Sequence, residues 1–126
     1  MKKALIIIGI LLIAVPVSGK HLHPERWYQD LWCADRGGQV EVRQEDGTRV
    51  DCLTECYACE MDFSTKWAEA VGQALHYSAM TGKRAGIVLI MENPEKDQKY
   101  LNRLERLIEY HGLKIDVWVM KPNEGE

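Results

Sequence analysis

One segment, Gly86-Ile87-Val88-Leu89-Ile90-Met91, constrains the fold more than any other stretch of the chain. Its apolar residues follow one another without alternation, so neither face can be left to water. A strand covered on both faces belongs in the middle of a layered α/β sheet. Helical patterns bracket it. Upstream, an amphipathic segment from about Thr65 to Met80 follows Ser64, a suitable N-cap, and stops at Thr81-Gly82. Downstream, Asn93-Pro94 breaks the run. A second helix is expected from about Glu95 to His111, with an apolar stripe of Leu101, Leu104, Leu107 and Ile108 and a C-terminal stop at Gly112. Lys114 to Met120 then alternates through Ile115, Val117 and Val119, the period of a final strand. Strand-helix-strand units of this kind pair in parallel.

The preceding residues read differently. Pro24 to Asp35 predicts a helix, with Pro24 in its first turn, Trp27, Leu31 and Trp32 at core-facing spacing, and Gly37-Gly38 at its end. Gln39 to Arg43 alternates around Val40 and Val42. Asp46-Gly47 signals a two-residue hairpin, and a second strand is expected from Thr48 to Leu53. A tight turn at Glu55-Cys56 leads to a third strand, Tyr57 to Phe63. The expected order is α-β-β-β-α-β-α-β, an antiparallel meander continued by parallel strands in a mixed sheet flanked by helices. At 126 residues there is room for one such domain.

The start, MKKALIIIGILLIAVPVSGKHLHP, has the three parts of a secretory signal: Lys2 and Lys3, an apolar run from Ala4 to Val17, and small residues at Val17-Ser18-Gly19. The run falls short of the ~20 residues that usually span a membrane. We therefore expect residues 1–19 to be a cleaved signal peptide, residues 20–126 to form the exported domain, and no stable membrane insertion after cleavage. An uncleaved N-terminal anchor is the alternative. Loss of Lys2 and Lys3 takes the formal charge from -3 to -5. An acidic domain has no long-range attraction for nucleic acid, so such a partner would need a local basic patch or a bound cation.

Chemistry concentrates between Arg49 and Tyr77. With Glu55 and Cys56 as turn residues, Asp51 falls opposite Glu60 and Cys52 opposite Cys59. Alternation then places Asp51, Glu60 and Asp62 on one face, and Val50, Cys52, Cys59 and Met61 on the other. Three carboxylates on one face persist if solvated, protonated or neutralised by a cation. A hard divalent ion such as Mg²⁺ satisfies them directly. On the following helix, Lys66, Glu69, Ala70, Gln73 and Tyr77 form one stripe, which would turn Lys66 and Gln73 toward the acids.

An Asp on the second strand, Glu-x-acid on the third, and a helix bearing Gln-x-x-x-Tyr together resemble the core of the PD-(D/E)XK nuclease superfamily, the restriction-endonuclease-like fold. The similarity of element order extends from Pro24 to Met120. The resemblance implies that Asp51 and Glu60 are the motif acids, that Gln73 and Tyr77 belong to the helix motif, and that Glu25 is the acid many members carry on the first helix. Where the family usually has lysine, this chain has Asp62; Lys66 would supply the ammonium from the helix. The implied activity is hydrolysis of nucleic-acid phosphodiesters with Mg²⁺ or Mn²⁺ held by Asp51, Glu60 and Asp62. Lys66 and Gln73 would serve catalysis, and Glu25 and Tyr77 would lie against substrate. A catalytically inactive binding or structural module on the same fold is the alternative.

Four cysteines remain: Cys33, Cys52, Cys56 and Cys59. Opposed across the hairpin, Cys52 and Cys59 suit a cross-strand disulfide or a pair of buried thiols. Zinc held by all four is a further reading, although paired C-x-x-C knuckles are missing. A thiol-redox or metal-storage protein would rest on the same residues.

Overall fold

The computed structural model describes residues 20–123. The signal-peptide reading falls on residues 1–19 and lies outside them. The described chain runs α1 (Glu25–Asp35), β1 (Gln39–Arg43), β2 (Arg49–Leu53), β3 (Tyr57–Phe63), a 3₁₀ turn (Ser64–Lys66), α2 (Trp67–Thr81), β4 (Arg84–Ile90), α3 (Pro94–His111) and β5 (Ile115–Met120). The strands form one sheet in the order β1-β2-β3-β4-β5. β1, β2 and β3 pair antiparallel, while β3, β4 and β5 run parallel, as the hydrophobic pattern predicts. Among the described residues no helix is long and apolar enough to cross a membrane.

β4 organises both cores. Val88 and Ile90 point to one side, against Tyr28, Trp32, Cys33, Cys52, Cys59, Met61 and Met120. Ile87 and Leu89 point to the other, against Ala70, Val71 and Ala74 of α2 and Leu104 of α3. Each such side chain removed from water contributes about 1.5–3 kcal/mol. α1 thus covers one face of the sheet, and α2 and α3 cover the other.

Local chemistry fixes the ends of the helices. Asn93 caps α3 by accepting the Lys96 N–H at 3.2 Å, and Pro94 occupies its first turn. Gly112 closes that helix in the left-handed region at φ 60°. α2 is different: Ser64 opens the 3₁₀ turn rather than capping a helix, so α2 begins at Trp67, two residues later than the sequence suggests.

Two turns were read from sequence. Glu55-Cys56 forms as expected, with Cys52 opposite Cys59 and Leu53 opposite Ala58. The first hairpin is longer than Asp46-Gly47 implies. Gly47 N donates to Gln44 O at 3.0 Å, so Glu45 and Asp46 are the central residues and Gly47 follows at φ 87°. This is a four-residue turn with a glycine bulge.

Of the two readings of Cys52 and Cys59, the cross-strand disulfide is corrected, and a buried thiol holds for Cys59 alone. Cys52 is bonded to Cys33 of α1, with Cα atoms 5.7 Å apart, and Cys59 remains a buried thiol. The reason is the helix: α1 lies over the face that carries Cys52, and Cys33 reaches it there. Gly38 makes room, since a Cβ at that position would stand 2.6 Å from Cys33 Sγ and 2.8 Å from Cys52 Sγ. With two thiols in the disulfide and Cys56 exposed, the four cysteines do not form a zinc set.

Candidate carboxylate site

The site begins with a break in the sheet. The β2–β3 ladder runs through Leu53–Ala58 and Cys52–Cys59 and then ends. Beyond it, the Asp51 carboxylate itself accepts the Met61 N–H at 2.8 Å, replacing a backbone rung. On the other side of β2, the β1 ladder pairs Val40 with Cys52 and Val42 with Val50 but omits the rung between Glu41 and Asp51. Glu41 sits there at φ 54°, a left-handed conformation that is costly for a residue with a Cβ. The distortion overturns one face assignment. Val50 does not share the α1 side with Cys52; it packs with Ala58 and Tyr77.

Four carboxyl groups from three elements meet at this seam. Glu60 hydrogen-bonds Asp51, and Glu25, at the start of α1, hydrogen-bonds Asp62. Tyr77, on the buried face of α2, has its hydroxyl pushed up by burial and then by the negative charges of Glu60 and Asp51. Glu60 and Asp62 are buried, at 4% and 5% exposure. Burial is the largest cause raising the pKa of all four. It raises Glu25 to about 7, assisted by the negative charges of Asp51 and Asp62. It raises Asp62 to about 6, against the pull of Lys66. Glu60 is pushed far above the carboxylate range by burial and then by Asp51, so it keeps its proton and Asp51 accepts from it. The four groups thus favour holding protons, Glu60 most strongly, with Glu60 set beside Asp51 and Glu25 beside Asp62.

Among the described residues, no three His, Cys, Asp or Glu side chains already surround one point as a metal site. The donor chemistry nevertheless suits a hard cation. All four groups offer carboxylate oxygens, and Glu60 Oε2 is buried with no hydrogen-bond donor facing it.

Lys66 stands at the end of the 3₁₀ turn, exposed, and its charge favours the ionised forms of Glu25 and Asp62. It makes no ion pair within 4.0 Å among the described residues. Gln73 is exposed and joins none of the described hydrogen bonds, so it does not enter the cluster. The buried face of α2 is Ala70, Val71, Ala74 and Tyr77, which turns Gln73 away. A cleft of about 400 Å³ beside Trp32, Arg36 and Trp118 lies elsewhere and is lined by none of the carboxylates.

Sequence reasoning missed one neighbour. Glu41 adds negative charge that acts on Asp51 and Tyr77; only its unusual backbone marks it. Compared with protein-family models, with curated proteins and with solved structures, the chain finds no match in any of the three.

Proposed function

We propose that the seam between β2 and β3 is the active site of an exported, divalent-cation-dependent phosphodiester hydrolase of the PD-(D/E)XK type, acting on nucleic acid. The observation that carries this reading is the gathering of Glu25, Asp51, Glu60 and Asp62 from α1, β2 and β3 around one break in the sheet. Those are the acids that the resemblance singles out. Asp51, Glu60 and Asp62 would hold Mg²⁺ or Mn²⁺, Glu60 giving up its proton to solvent as the cation binds. When bound, the cation supplies polarisation of the phosphoryl oxygen and a more acidic water.

The chain's own groups do the rest. Asp51 is held in place by the Met61 N–H. Glu25, titrating near 7, is matched to taking a proton from attacking water and returning one to the leaving oxygen. Lys66, without an ion pair among the described residues, offers its ammonium to the phosphate as negative charge develops. The Cys33–Cys52 disulfide supports export to an oxidising compartment.

A second reading, a non-catalytic module on the same fold, is favoured by the separation of Lys66 from the carboxylates. A cleavage assay distinguishes the two. Purified protein with Mn²⁺ should cut labelled DNA or RNA, and Asp51→Asn should lower the rate at least about a hundredfold. No cleavage of single- or double-stranded DNA or RNA would favour the module.

A further inference from the structure

α3 places Lys96, Lys99, Arg103, Arg106 and Tyr110 at steps of three and four residues, so they share one strip of its surface. All five are exposed. Lys99 and Arg103 lie over the Tyr100 ring, 5.0 and 5.6 Å from its centre, which positions them without neutralising them. Glu95 stands four residues before Lys99, and Glu109 three after Arg106, the spacing of a helical ion pair. Neither pair forms: among the described residues none of the four cations has a carboxylate within 4.0 Å. On a chain with more acids than bases, the strip is a local concentration of unneutralised positive charge.

The strip borders a hollow. Trp67, at the start of α2, lines an open groove of about 420 Å³ together with Arg103, Arg106, Leu107 and Tyr110. The Tyr110 ring is 83% exposed there. Phosphates pair with lysine and arginine, and an aromatic ring takes the face of a base that has left its own stack. α3 meets both needs on one face. Duplex bases are already stacked and would leave the rings unused, while a planar anionic bilayer would reach the strip but not enter the groove.

We propose that this face of α3, with Trp67, is a docking surface for single-stranded nucleic acid, its phosphates lying along Lys96, Lys99, Arg103 and Arg106 and a base stacking on Tyr110. The choice of polymer rests on the nucleic-acid reading above, but the surface uses none of the carboxylates. It supplies the local basic patch that an acidic domain needs to hold a polyanion. Trp67 directly follows Lys66, the cation whose charge acts on Glu25 and Asp62, so the groove adjoins the approach to the seam.

Fluorescence anisotropy of a labelled oligothymidylate about 20 nucleotides long, titrated with the purified protein in EDTA, tests this without cleavage. Binding is expected, weakening as salt is added. Replacing Arg103 and Arg106 together by alanine should weaken it at least about tenfold and lower the slope of log affinity against log salt by about 1.4. Tyr110→Ala should weaken it at least about fivefold with the slope unchanged. All three residues are exposed, so melting temperatures should stay at the wild-type value. Asp51→Asn should bind as wild type does. No binding by the wild type, unchanged binding in the arginine or tyrosine variants, or binding to phosphatidylserine vesicles alone would each overturn the docking surface. If such a protein nevertheless cleaves nucleic acid, the hydrolase reading stands without it. If the wild type binds through α3 and never cleaves, the docking surface stands and the hydrolase reading falls.

Discussion

Asp51 does two jobs with one carboxylate: it accepts the Met61 N–H at 2.8 Å and the proton of Glu60. The two can be separated by substitution. Asp51→Asn keeps an oxygen for Met61 but presents an amide where charge is needed, so it should fold and lose activity. Asp51→Ala strands the Met61 N–H and the Glu60 carboxyl together, which should cost roughly 2–4 kcal/mol. Urea midpoints for the two variants check the difference. Glu60 gives the complementary case. Burial holds its proton, so Glu60→Gln preserves donation to Asp51 and removes the liability to ionise. We expect this variant to be more stable than wild type at pH 8 by about 1 kcal/mol or more, with little gain at pH 5. Equal stability at pH 8 would show that Glu60 is not the proton holder.

At the level of elements, the disulfide ties α1 to β2 and so holds Glu25 above the seam. Its sequence separation of 19 corresponds to about 3 kcal/mol of stabilisation. Reduction should lower the urea midpoint accordingly. Gly38→Ala should free both thiols on quantitative labelling, because its Cβ would intrude on both sulfurs. The elements themselves were legible in the sequence because periodicity is local. The apolar run of β4, the stripe of α3 and the turn at Glu55-Cys56 each need only neighbouring residues to be understood. What escaped was what depends on another layer. Cys33 meets Cys52 because a helix crosses a sheet. Val50 changes face because Glu41 adopts φ 54° on the adjacent strand. Gln73 leaves the expected stripe because α2 buries Val71 and Ala74 instead. The carboxylate cluster was legible in membership through Asp51, Glu60, Asp62 and Glu25, but the retention of protons within it was not, since that follows from burial.

For the molecule as a whole, the carboxyl cluster sets the response to pH. Glu25, Asp51, Glu60 and Asp62 all titrate above their unfolded values, so the folded chain binds more protons than the unfolded one. Their stabilisation is fully present below the unfolded values and is lost as pH rises, through about 6 for Asp62 and about 7 for Glu25. Asp46 and Glu92 are held below their ordinary values and act the opposite way, at more acidic pH. In Glu92, hydrogen bonds from His21, Tyr28, Leu22 and His23 together outweigh its burial. Melting in EDTA should therefore be highest near pH 5 and fall by roughly 5 °C or more by pH 8; Mn²⁺ should restore much of that loss at pH 8 and little at pH 5. The most direct measurement is an anomalous difference map from crystals soaked in Mn²⁺ near neutral pH. A peak within about 2.5 Å of carboxylate oxygens of Asp51 and Glu60 is expected. A map with no peak at the seam, or with manganese bound only elsewhere on the surface, would contradict a cation site between β2 and β3.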